Sequence, residues 1–312
     1  MGEAPSIGLA LGSGSARGWA HIGVIRGLQR ERIPVHLVCG TSIGAVVAAA
    51  MAAGTLDALE STVRALDWSD VLRFLDIALP RSGLIEGERL LGLLREYFAD
   101  QRIENLRLPF AAVATELASG REVWLRQGPL LEAVRASISM PGIFAPTSVE
   151  GRWLVDGGLV NPVPVSLCRA MGANIVIAVN LNTGMVGRHM HPRRVVRNRR
   201  RQRRSASGRL SSKITSQLNH TWRRGKSLLI DRFGLGQTED RSPTLFETLI
   251  TSIHIMQDRI TRHRLAGDPP EILISPPLAH IGLLEFKRAD EVIQAGEQAL
   301  QLVLPLLRKL VT

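Results

Sequence analysis

The sequence predicts an α/β layered fold, on three observations. Short apolar, β-branched runs alternate with amphipathic or alanine-rich stretches of helical period. The first two of these runs stop at clusters of small residues, as a strand does where it hands over to a helix. The hydrophobic fraction, 45% of 312 residues, is that of a globular chain with a substantial core.

Ile7-Gly8-Leu9-Ala10-Leu11 reads as the first strand. It ends in Gly12-Ser13-Gly14-Ser15-Ala16-Arg17-Gly18, after which Trp19, Ile22, Ile25 and Leu28 mark one helical face. Such a loop points backbone N–H groups at whatever sits above it. A dinucleotide loop needs glycine where Arg17 stands and an acidic residue where Cys39-Gly40 ends the second strand, so that reading fails. A nucleoside-triphosphate loop needs Gly-Lys-Ser/Thr, and Arg17-Gly18-Trp19 does not supply it. Two readings stay open: an oxyanion hole serving a neighbouring nucleophile, or a tight turn with no ligand.

The second strand, from Val35, breaks at Gly40-Thr41-Ser42-Ile43-Gly44, and an alanine-rich run from Ala45 to Ala53 ends at Gly54. Strand, sharp turn and buried helix are the setting of a nucleophile elbow. Gly40 and Gly44 let strand and helix approach closely while Ser42 occupies the strained turn. The absence of formal charge from Ile33 to Leu56 also fits a membrane span, but Pro34, His36 and three glycines favour the strand–helix reading.

Further on, Phe110 to Thr115 and Glu122 to Leu125 read as strands around a Gly120 turn. Leu130 to Ser139 reads as a helix broken at Met140-Pro141-Gly142. Arg152 to Asp156 is a strand that meets Gly157-Gly158, with Asp156 at its carboxyl end; alone, that turn is also an ordinary Asx turn. Val163 to Met171 reads as a helix and Ile175 to Leu181 as a buried strand. A helix from Ser242 to about Ala266, a strand at Glu271 to Ser275 and a last helix from about Phe286 complete the chain. Pro305 is expected to kink or restart that helix.

The net charge of +11 is local. Between Arg188 and Lys226 stand fourteen Lys or Arg and no Asp or Glu, which leaves a small negative balance elsewhere. The expected organisation is a core from 1–182 and 241–312 with a basic, partly disordered insert at 183–240. Three readings suit Arg193, Arg194, Arg197, Arg199, Arg200, Arg201, Arg203 and Arg204: an anionic membrane surface, non-specific nucleic acid, or a solvated insert without partner. The membrane carries the most weight and nucleic acid the least. No signal-peptide pattern opens the chain and Cys39 and Cys168 form no metal-type pair, so a cytoplasmic location is expected.

A serine nucleophile needs a base. Of eight histidines, His263 and His280 stand late enough for the usual hydrolase order, but Ser42 lies too early for that fold's elbow. His263 sits among arginines on a solvated helix face, and His21 lies beside the glycine loop. Asp156 is the better partner, because it ends a strand before two small residues. A carboxylate is a weak base, so such a pair requires a desolvated pocket.

The loop Gly12 to Gly18, Gly-Thr-Ser-Ile-Gly at 40–44 and Asp-Gly-Gly at 156–158 resemble the three signatures of the patatin-like phospholipases. The likeness is nearest to the bacterial RssA-type branch, which Ala10 to Gly14, Phe110 to Thr115 and Ala266 to Pro270 also resemble. It covers the chain from Ile7 to the last helix, except about 183–240. The resemblance implies a three-layer α/β/α sandwich around a mostly parallel sheet, with Ser42 as nucleophile and Asp156 as base. It further implies an oxyanion hole from the loop N–H groups, with Arg17 bracing that loop or meeting a phosphate. The implied activity is that of a serine esterase acting on lipid or lysolipid esters, without cofactor or metal. The family loop is richer in glycine; Ser13 and Ser15 stand in its place here, so any left-handed residue is expected at Gly12 or Gly14. A non-catalytic regulator on the same fold, binding through the basic insert, is the rival from another class.

Overall fold

The computed structural model describes residues 5–66, 88–184 and 245–311. Two compact units divide the chain: one comprises 1–186 with 253–312, the other 187–252. The first unit holds everything below except the opening turns of helix α7 (Leu245–Gly267).

Its centre is an eight-stranded sheet of β1 (Ile7–Leu11), β2 (Leu37–Thr41), β3 (Phe110–Glu116), β4 (Glu122–Leu125), β5 (Thr147–Val149), β6 (Arg152–Asp156), β7 (Ile175–Val179) and β8 (Ile272–Ile274). The hydrogen-bonded path runs β5-β6-β3-β2-β1-β7-β8, with β4 also on β3. β3, β2, β1, β7 and β8 are mutually parallel; β4, β5 and β6 pair antiparallel.

The registers on β3 position the site. β2 pairs Val38–Thr41 with Phe110–Val113, and β6 pairs Asp156 with Ala114 and runs on to Glu116. β4 covers Ala112 to Thr115 and so overlaps both. A strand has two edges, so β4 holds one, and β2 and β6 lie end to end along the other. Their carboxyl ends meet where Val113 passes to Ala114. Ser42, directly after Thr41, is thereby brought face to face with Asp156.

Alternate side chains of each strand leave for opposite faces. Leu9, Leu11, Val38, Ala112, Ile177 and Val179 join a large core with α1 (Ala20–Arg30), α2 (Ile43–Ala53), α3 (Leu56–Ala65), α4 (Glu88–Phe98), α5 (Leu130–Ser137) and α8 (Ala289–Val311). Ala10, Leu37, Cys39, Val113, Val176 and Ala178 join a smaller core with α6 (Val165–Ala170), against which Leu265 of α7 packs. Helices thus cover both faces, and the α/β/α sandwich around a mostly parallel sheet is the observed fold.

The supposed span from Ile33 to Leu56 is β2, the elbow and α2, whose residues are almost all buried in protein. No helix among the described residues is long and apolar enough to cross a membrane. α8 runs through Pro305 as one helix, so of the two expected outcomes the restart does not occur. α3 and α4 were not anticipated, although Leu56, Leu59 and Val63 recur at helical spacing, as do Leu90, Leu93, Leu94 and Tyr97. The arginine run and the rest of the expected insert from 185 to 240 lie outside the described residues.

Candidate active site

Ser42 is the N-cap of α2 and has φ 58° and ψ −127°, a left-handed backbone that a side chain normally avoids. Such strain costs about 1–3 kcal/mol and persists only where the surroundings over-determine it. Here they do. A Cβ on Gly40 would lie 2.4 Å from the Gly44 carbonyl carbon, and one on Gly44 would lie 2.2 Å from Leu11 O. Ser42 N–H donates to Ser137 Oγ (2.9 Å), which itself donates to Val113 O (2.6 Å), so α5 and β3 clamp the turn.

Ser42 Oγ donates to Asp156 Oδ2 at 2.5 Å, and Asp156 Oδ1 accepts from Gly158 N–H at 2.6 Å. The backbone of Asp156 is held on both sides. Its N–H donates to Ser139 O (2.9 Å) and its carbonyl accepts from Thr115 Oγ1 (2.9 Å). Asp156 is 1% exposed and Ser42 7%. Burial pushes the Asp156 carboxyl up to about 6, against the opposing pull of its bonds from Ser42 and Gly158. Desolvation thus makes this carboxylate a stronger proton acceptor than an exposed one.

No histidine bonds to either residue among those described. His263 is exposed on α7, and His280 pairs with Glu291 (2.8 Å) on the surface. His21 is fully buried and hydrogen-bonded through Nε2 to Gly12 O (2.8 Å), with burial pulling its imidazolium down to about 4. It is neutral near pH 7, and Nε2 is then the protonated nitrogen, because a carbonyl can only accept.

The glycine loop crosses the carboxyl end of β1. Its left-handed residue is Ser15 (φ 50°), not Gly12 or Gly14, which corrects the sequence expectation. The glycines serve close approach instead: a Cβ on Gly12 would lie 2.6 Å from Val179 O, and one on Gly18 2.2 Å from the Ile43 side chain. Gly12 N–H donates to Val179 O, Ser13 N–H to Pro162 O, Ala16 N–H to Leu283 O and Arg17 N–H to Gly14 O. The N–H groups of Gly14, Ser15 and, across the elbow, Ile43 find no acceptor among the described residues. Arg17 is fully buried and donates to Gly14 O (3.1 Å) and Leu181 O (3.2 Å), which ties it to the loop backbone.

Beside Ser42 opens a cleft of about 930 Å³, solvent at its mouth included. Val46, Leu59, Leu94, Met140, Phe144 and Phe286 are among its walls, supplied by α2, α3, α4, the chain after α5 and the segment before α8. Among the described residues the lining holds no charged side chain. Its polar side-chain groups are the hydroxyls of Ser15 and Ser42 and the Trp19 indole N–H, which is bonded to Phe286 O.

The profile of the patatin-like phospholipases matches residues 9–169, which contain the loop, the elbow and the Asp-Gly-Gly turn. The chain belongs to the patatin-like phospholipase family. An uncharacterized NTE family protein of Mycobacterium tuberculosis is 36% identical over 325 aligned positions, covering 94% of this chain and 90% of that protein. The patatin-like phospholipase domain-containing protein 6 of Mus musculus is 34% identical over 185 positions, or 57% of this chain and 14% of that protein. Membership of the patatin-like phospholipases implies lipid acyl hydrolysis, and the apolar cleft beside a buried serine suits it.

Proposed function

We propose that this patatin-like protein is a serine esterase that cleaves lipid or lysolipid esters through a Ser42–Asp156 dyad. The observation that carries this reading is the bond from Ser42 Oγ to a desolvated Asp156 carboxylate at the edge of an apolar cleft. Asp156 Oδ2 takes the Ser42 proton as Oγ adds to the ester carbonyl carbon. The tetrahedral oxyanion collapses, the bond to the alcohol breaks, and the proton passes from Asp156 to the leaving oxygen. Water, deprotonated by the same carboxylate, then adds to the acyl carbon. The bond to Ser42 Oγ breaks as Asp156 returns the proton to it, and the fatty acid leaves. The free N–H groups of Gly14, Ser15 and Ile43 are the donors for the oxyanion, aided by the amino end of α2. The apolar cleft takes the acyl chain.

A fluorophosphonate probe should label Ser42, as read by peptide mapping. The rate of labelling and kcat/KM for a p-nitrophenyl ester should share an acidic limb near pH 6. The sign follows from the role: Asp156 accepts a proton only when ionised, so activity falls as pH drops through the raised value. A label on another residue, or a histidine-like dependence that survives Asp156→Asn, would sink the dyad.

The basic insert extends the same reading. Fourteen cations without an acidic residue over 188–226 favour docking at the anionic inner face of a membrane, each worth about 1 kcal/mol near the surface. Removing 188–226 should abolish sedimentation with vesicles of anionic phospholipid at low salt; undiminished sedimentation would exclude this role.

A further inference from the structure

The Asp-Gly-Gly turn packs against a glutamine that the dyad reading leaves unused. Along α7, Ile253, Gln257 and Thr261 form a buried stripe at intervals of four residues, with Gln257 only 2% exposed. An apolar side chain would suit such a stripe better, since a buried carboxamide loses its water. Gln257 Nε2 has no acceptor within the protein among the described residues. Its location gives the reason. A Cβ on Gly158 would lie 2.4 Å from Gln257 Nε2 and 2.9 Å from Asp156 Oδ1. The second glycine of the turn thus leaves its space to this carboxamide, and the amide and the Asp156 carboxylate flank the same point.

We infer that Gln257 is a positioning residue for Asp156, its carboxamide seated behind the carboxylate so that the N–H dipole favours the anion. The inference rests on the dyad reading. Oδ2 faces Ser42 and exchanges the proton, while Oδ1 is held by Gly158 N–H with Gln257 Nε2 alongside. A bonded N–H on the far oxygen and a buried N–H dipole near it favour the charged form in a place where water cannot. The charged groups packed around the turn are otherwise engaged. Arg135 on α5 donates to Ser139 Oγ, Glu122 on β4 bonds Asn161 and Arg264, and Asp258 on α7 pairs with Arg262. Arg17 and His21 bond carbonyls of the glycine loop. None of these is among the groups that act on the displaced Asp156 carboxyl, which are Ser42 and Gly158.

The test is the pH profile of kcat/KM for a soluble p-nitrophenyl ester, measured with the full chain. Gln257→Met keeps the volume and removes the N–H, and should move the acidic limb up by about half to one pH unit. Gln257→Glu is isosteric and brings a second carboxylate beside the first; it should move the limb up by more than about one unit. Should the Met variant fail to fold, the Glu variant carries the test alone. A limb that stays in place or moves down, in an enzyme silenced by Ser42→Ala and Asp156→Asn, overturns the role of Gln257 and leaves the dyad standing. Turnover that survives either dyad substitution overturns both.

Discussion

Asp156→Asn should lose activity and gain stability in the same protein. As the proposed acceptor of the Ser42 proton, Asp156 should account for about 100-fold to 10,000-fold in kcat. The gain follows from linkage. Its carboxyl ordinarily ionises at 3.8 but in the fold only at about 6. The native state therefore holds the proton more tightly than the unfolded chain, and stability falls as pH rises between those values. Above about pH 6 the penalty is complete, at roughly 3 kcal/mol. Asparagine never ionises and keeps an acceptor for Gly158 N–H. Its melting temperature should exceed that of the wild type at pH 8, and the difference should vanish near pH 4. Equal melting temperatures at pH 8 would mean that burial does not strain this carboxylate.

Gly44→Ala should damage the protein despite improving the helix. Alanine in place of glycine near the start of α2 favours helix by about 1 kcal/mol. Against that, the new Cβ would stand 2.2 Å from Leu11 O and 2.7 Å from Gly12 O, both backbone atoms of β1 and the loop. Neither can rotate away, so α2 must move off the sheet, at a cost of about 1–3 kcal/mol or more. The clash wins. A lower urea midpoint and a fluorophosphonate labelling rate reduced beyond what stability explains are the expected results, since the displaced atoms belong to the glycine loop. A variant as stable and as reactive as the wild type would show that the two segments do not touch.

The parts of this site that show in the sequence are those with local causes. β1 and β4 run as read because apolar β-branched runs and a glycine turn bound them, and Ser42 and Asp156 stand out because each ends a strand beside glycine. Elements without such punctuation passed unread. α3 and α4 carry sound helical spacing but no motif, and they supply much of the cleft. The direction of β6 was equally invisible, since alternation of side chains is the same in parallel and antiparallel pairs. The loop glycines were read as conformational, whereas their neighbours Val179, Leu181 and Ile43 are distant in sequence and make them a matter of space. Gln257 escaped for the same reason, because its meaning depends on a turn about a hundred residues earlier.

The end-to-end meeting of β2 and β6 on β3 has a consequence for synthesis. Ser42 and Asp156 are 114 residues apart, and only β3 brings them into line. On a ribosome adding about 5–20 residues per second, the elbow emerges roughly ten seconds before its base. On the proposed dyad, Ser42 lacks its proton acceptor until β6 pairs with Ala114 to Glu116 of β3. By the same proposal, a nascent chain carries Ser42 in an inert form, and reactivity arrives with β6, well before β7 and β8 complete the sheet.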